Sequence, residues 1–194
     1  ATKDLMLLAN HLKMDAAYAE INHWIDKLTQ GSQSLWNESV NGFCAKDLRT
    51  GKFSDGITNA SMLCFYADFG DAEQKEKMSA HCERILDRCK YGFPSWDPDH
   101  ESFNRIRYWR GPIWLVMNYM IVQGLGECGY PSLAEKIKSD TKTLVNKAGM
   151  AEYFDPIEGS PLGGTDFSWT AAIYLEMSSE KIDEILTNCL LYTS

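Results

Sequence analysis

Apolar residues recur along this chain at intervals of three and four, interrupted by polar and glycine-bearing stretches, and the rhythm predicts helices arranged in successive pairs. Leu5, Leu8 and Leu12 make one stripe; Ala16, Ala19, Ile21, Trp24, Ile25 and Leu28 make a second. The break at Lys13-Met14-Asp15 makes the two helices antiparallel, with Asp15 as the cap of the second. That helix is expected to run on through Leu35-Trp36-Asn37 and stop before Asn41-Gly42. Beyond it, Phe43, Ala45, Asp47 and a Thr50-Gly51 turn predict a short hairpin crossing one end of the helical layer.

Residues 58–69 form another apolar run, with Met62, Leu63, Phe65 and Tyr66, closed by Gly70. Asp71 caps an amphipathic helix over 72–90 whose inner face carries Met78, Cys82, Ile85 and Leu86. A link at 91–100, dense in Pro, Gly and aromatics, is expected to line a site, as long ordered loops in compact domains often do. The third pair covers 111–129 and 132–149. Its first helix is very apolar and starts at Gly111, with Pro112 suited to the first helical position; its second turns Lys136, Lys138, Lys142 and Lys147 outward. A loop at 150–166 then leads to a last helix opened by Phe167-Ser168-Trp169-Thr170.

The amphipathic partners begin near Asp15, Asp71 and Ser132, a repeat of about sixty residues. Helical hairpins in series can build a solenoid or close into a double ring. Inner helices that are apolar all round favour the ring, so the expected fold is all-α, part of an (α/α)6 toroid with one short hairpin and loop segment.

The 194 residues, 44% of them hydrophobic, suffice to bury one core. A net charge of −8 argues against nucleic acid, since no face gathers enough Lys or Arg to replace phosphate counterions. The apolar run 113–122 carries Asn118 and is too short to cross a bilayer, and the N-terminus has no signal-peptide order, so no membrane is expected. Ala1-Thr2-Lys3-Asp4 leads straight into a helix, which suggests that the chain opens inside a larger domain. The six cysteines show no Cys-x-x-Cys pair and fall at apolar positions, reading as reduced core residues of an intracellular protein. The four histidines lack ligand spacing, so neither metal nor other cofactor is expected. Residues 188–194 fit the preceding amphipathic turn poorly and receive no function.

The candidate chemistry centres on 108–114. Tyr108, Trp109 and Trp114 offer flat faces, and Arg110 a cation, at the head of a helix, a suitable place for a sugar ring. A plain alternative is that these rings only staple the helix to a core. Trp169 repeats the layout at the next inner helix and would wall a funnel, with core packing as its rival.

The string YWRGPIW at 108–114, then AEYFDP at 151–156, GG at 163–164 and FSWTAA at 167–172, resembles the C-terminal half of the (α/α)6-barrel enzymes of glycoside hydrolase family 63. Within that group it is most similar to bacterial members acting on glucosylglycerate, mannosylglycerate and similar α-glycosides; trehalases are more distant. The similarity spans about 4–177 and includes LWNE at 35–38 and FPSW at 93–96. It implies a C-terminal portion of a catalytic barrel over residues 1–187, acting on a carbohydrate or glycosyl conjugate by inversion. It also implies Glu152 as general base. Taken alone, without the resemblance, Glu152 reads as an ordinary loop carboxylate before it reads as a base. Tyr108, Trp109, Gly111 and Trp114 resemble sugar-contacting positions, with the backbone at Gly111 allowing close approach. Arg110 would pair with the base loop or a substrate carboxylate, or else bridge to Asp155 or Asp166. Asp155 itself is expected to buttress the loop ahead of Pro156.

The family's general acid lies in an upstream Asp segment that nothing here matches; Asp47, Asp55 and Asp97 have the wrong neighbours. The resemblance therefore implies a missing N-terminal half as partner, and a chain inactive alone. A non-catalytic helical-repeat binding protein and a phosphorylase on the same barrel are the alternatives.

Overall fold

The computed structural model describes residues 2–179; the tail 188–194 lies outside them. In order, the elements are α1 (Thr2–His11), α2 (Asp15–Gln33), β1 (Trp36–Asn37), β2 (Gly42–Phe43), α3 (Leu63–Ala67), α4 (Ala72–Arg88), α5 (Leu115–Glu127), α6 (Pro131–Ala148), β3 (Tyr153–Phe154), β4 (Pro161–Leu162) and α7 (Ser168–Ser178). Helices α3, α5 and α7 pack in succession as an inner row; α6 packs outside α5 and α7, and α4 lies beside α6, joined to α3 and α5 through a shared core. This is the layout of a partial α/α toroid.

The amphipathic partners bury the stripes their spacing marks. On α4, Met78, Cys82, Ile85 and Leu86 face Phe65, Ile121, Leu125 and Ile137 in one core. Asp71 caps α4 by accepting from the Gln74 backbone N–H, while the Gln74 side chain returns to the Asp71 N–H, a reciprocal capping box. The five described cysteines are free, and four are buried. Burial pushes the Cys64 and Cys89 thiols up to about 12, which leaves them neutral core residues.

Several boundaries differ from expectation. Helix α2 ends at Gln33, because Trp36 and Asn37 leave it to pair with Phe43 and Gly42; the Trp36 and Phe43 rings meet edge to face at 5.0 Å. Asp15 is the first residue of α2 and caps nothing; Met14 holds the cap position with no side-chain bond. The 58–69 run contributes only the short α3, its first half being spent on turns and on the bridge between Thr58 and Trp96. The very apolar inner helix starts at Leu115, three residues after Pro112, because Ile113 is drawn into an antiparallel bridge with Phe154.

Helices α1 and α2 pack on each other at one edge. Only Ala9 and Ser32 of the pair are buried, and Leu5, Leu8, Leu12, Trp24 and Leu28 remain exposed. Lys3 and Lys75 converge on Asp68, and Gln33 pairs with Gln74, tying this edge to α3 and α4. No helix among the described residues is long and apolar enough to cross a membrane.

Candidate active site

The backbone of Ile113 both donates to and accepts from Phe154, at 2.8 and 3.0 Å. Two segments about forty residues apart are thereby locked side by side at the head of α5. Beneath them lies a separate apolar cluster of Tyr91, Ile113, Leu115, Leu144, Val145, Ala151 and Phe154, so the bridge rests on a packed floor. The 150–166 loop is itself a hairpin, β3 pairing with β4, which the sequence reading missed.

Glu152 opens that hairpin. Its N–H donates to the Gly164 carbonyl at 2.9 Å, and one carboxylate oxygen accepts from the Gly164 N–H at 3.3 Å. The other oxygen accepts from the Tyr108 hydroxyl at 3.2 Å. Gly163 follows with φ at +71°, and a Cβ there would stand 2.6 Å from the Glu152 carboxylate. Only glycine fits both the left-handed turn and the space the carboxylate occupies. Loss of hydration against neighbouring rings, and then the bond to Glu152, raise the Tyr108 phenol above its ordinary value, so it stays protonated and donates.

The aromatic residues split into two roles. Trp114 is buried and stacks between Trp109, 4.3 Å away at 9°, and Tyr153, 5.0 Å away at 19°. Tyr108 meets all three rings edge-on. Its backbone sits at φ +29°, a strained value for a bulky residue, and the Trp114 indole N–H holds its carbonyl at 3.1 Å. Trp114 thus staples the helix, while Tyr108 and Trp109 are nearly half exposed and present faces to solvent. Trp169 is 61% exposed among the described residues. Trp114, Leu115, Val116, Glu152, Phe167, Trp169 and Thr170 line one small hollow between the first turns of α5 and α7.

Two expected contributors are placed otherwise. Gly111 is buried and its close approach is to the chain itself: a Cβ would fall 2.3 Å from the Asn104 carbonyl oxygen. Its value is to let the 104–110 loop fold back on itself. The Arg110 side chain donates to the Ser102 carbonyl at 3.0 Å and has no ion pair with Asp155 or Asp166. Arg105 takes that part, at 3.2 Å from Asp155 and 2.6 Å from Glu158. Asp155 is 2% exposed and accepts from the Ile157 and Glu158 N–H groups, so it buttresses the loop as expected.

The 91–100 link supports the site from behind instead of lining it. Phe93 and Ser95 are buried, Ser95 Oγ accepting the Gly111 N–H at 2.9 Å. Asn118, fully buried on α5, accepts the Phe93 N–H at 2.8 Å and donates to the Phe93 carbonyl at 2.9 Å. Sequence reading treated Asn118 only as an interruption of an apolar run. A buried amide on an inner helix needs backbone partners, and that requirement was the available signal. A more open groove along α4, formed by Glu83, Arg84, Asp87, Arg88 and Asp99, carries the Arg84–Asp99 and Arg88–Asp99 ion pairs on its wall and contains none of these residues.

Residues 1–170 match the family model of the mannosylglycerate hydrolase MGH1-like glycoside hydrolase domain. The chain is 35% identical over 175 residues to mannosylglycerate hydrolase MGH1 of Selaginella moellendorffii, an alignment covering 90% of this chain and 36% of that protein. It is 34% identical to the mannosylglycerate hydrolase of Thermus thermophilus, covering 90% of this chain and 42% of the relative. The crystal structure of a glycoside hydrolase family 63 mannosylglycerate hydrolase from Thermus thermophilus, in complex with Tris, superposes with a TM-score of 0.86 at 32% identity. That superposition covers 92% of this chain and 42% of the other. The chain thus spans about two fifths of the length of the relatives it matches, and on the extent of these matches it belongs to the mannosylglycerate hydrolase MGH1-like glycoside hydrolase family.

Proposed function

We propose that this chain is the C-terminal portion of an inverting α-glycosidase in which Glu152 is the general base. The observation that carries the reading is the Glu152 carboxylate, oriented by Tyr108 and Gly164, at a hollow it shares with Trp114 and Trp169. An inverting hydrolase needs one carboxylate to deprotonate a water attacking the anomeric carbon. It needs a second, protonated carboxyl roughly 6.5–9.5 Å away to protonate the leaving oxygen on the opposite face. Glu152 takes the first role. The second belongs to a segment outside these 194 residues, so the chain alone does not turn over.

Tyr108 and Gly164 hold the carboxylate so that its remaining lone pairs can orient the water. The exposed faces of Tyr108, Trp109 and Trp169 suit the apolar face of a pyranose ring. The relatives' names point to an α-mannoside or α-glucoside of a small hydroxy acid such as glycerate as substrate.

Glu152→Gln in the complete protein tests the assignment. A hydrolase loses orders of magnitude in kcat while keeping its affinity for the sugar; a helical-repeat binding protein keeps its function. Hydrolysis of an aryl α-glucoside by the purified 194-residue chain would overturn the dependence on an outside acid.

A further inference from the structure

The peptide plane that carries Glu152 is clamped at both ends. On one side the Glu152 N–H donates to Gly164 at 2.9 Å. On the other, the Ala151 carbonyl accepts the Thr170 hydroxyl at 2.6 Å, between residues that are 2% and 1% exposed. The neighbouring Met150 carbonyl accepts the Phe167 N–H at 2.8 Å, so two successive carbonyls ahead of Glu152 are docked on the start of α7. Thr170 and Glu152 both line the narrow crevice between α5 and α7.

We propose that Thr170 is a positioning residue for Glu152, acting through the Ala151 carbonyl; this rests on the general-base reading above. A carbonyl and the following N–H share one rigid plane, so bonding both ends fixes where the next Cα stands and where its carboxylate can reach. With the hydroxyl removed, the buried Ala151 oxygen loses its donor and the plane is free to rotate about the Gly164 contact. Thr170 is suited to this duty by type. Its branched carbon fills the space as valine would, and the hydroxyl adds only the directional bond.

The test is a set of variants of the complete protein. Thr170→Val is expected to lower kcat about tenfold or more, with KM within about twofold, because a small misplacement of a reacting group falls on the chemical step. Thr170→Ser, which keeps the hydroxyl, is expected to recover kcat to within about threefold. In a Glu152→Gln background, Thr170→Val is expected to cost nothing further, since its effect runs through the carboxylate. Full kcat in Thr170→Val, a loss in Thr170→Ser equal to that in Thr170→Val, or an additive loss in the Glu152→Gln background would each overturn the positioning role alone. Full turnover in Glu152→Gln would overturn the base assignment, and the positioning role with it.

Discussion

Replacing Asn118 with leucine, which has nearly the same shape, removes the amide that joins α5 to the Phe93 backbone. The Trp114 carbonyl, also within reach of this amide at 3.3 Å, keeps the Met117 and Asn118 N–H groups as donors and is not orphaned. The Phe93 N–H and C=O are orphaned, in a place where Asn118 and Phe93 are both fully buried. Each unsatisfied buried backbone group costs about 1–3 kcal/mol, so the loss is about 4 kcal/mol. That is a large share of the roughly 5–15 kcal/mol that holds a domain folded, and corresponds to about 8–16 °C in Tm for a chain of this size. The assay is urea unfolding of the 194-residue chain, followed by far-UV and near-UV circular dichroism. The near-UV signal includes the stacked Trp109 and Trp114, at the head of the helix this tether holds. Asn118→Asp is the companion variant: it keeps an acceptor for the Phe93 N–H but brings an unpaired charge into the core. Burial raises such a carboxyl, so the variant is expected to gain stability as pH falls and the group becomes neutral. A loss under about 1 kcal/mol in Asn118→Leu would show that water reaches the Phe93 backbone and would refute the accounting.

Two further outcomes follow from particular contacts. Gly163→Ala places a methyl 2.6 Å from the Glu152 carboxylate and 2.7 Å from the Tyr153 ring at a left-handed φ. In the complete protein it should reduce kcat about a hundredfold; unchanged turnover would mean the hairpin relaxes without moving the carboxylate. Asp68, bonded first by Lys3 and then by Lys75, has its carboxyl lowered from the usual 3.8 to about 2. Its folded value lies below its unfolded one, so its contribution is present above about pH 4 and is lost as pH falls toward 2. Because the carboxyl is half exposed, that contribution is at most about 1 kcal/mol. Asp68→Asn should flatten the stability profile over this window in urea titrations, and parallel profiles for the two proteins would rule the effect out.

The helical pairs were legible because each amphipathic partner carries its stripe openly. Met78, Cys82, Ile85 and Leu86 on α4 could face only inward, and Asp71 marked where that helix begins. The start of α5 was misplaced for an equally physical reason. Pro112 suits a first helical turn as well as an extended strand, and the choice fell to Phe154, far along the chain, which supplies both backbone partners of Ile113. Gly111 carried the signal of a close backbone approach, and the atom that a Cβ there would meet is the Asn104 carbonyl oxygen, far from anything local spacing shows. Arg110 and Arg105 differ in nothing that spacing reveals; only the fold of the loop decides which guanidinium reaches Asp155. The pairing of Glu152 with Tyr108 joins residues 44 positions apart and was likewise invisible to local pattern.

The bridge between Ile113 and Phe154 bears on how specificity can diverge on this scaffold. The stacked rings and the carboxylate are carried by one shared pair of backbone bonds, so a displacement of either drags the other and their mutual spacing is preserved. On the proposed reading, changes of sugar or leaving-group preference are therefore best sought in side chains rather than in this shared backbone. Trp169, largely bare on α7, is such a lever: its ring can be exchanged while the hydrogen bonds of its neighbours Phe167 and Thr170 to the Glu152 segment stay as they are.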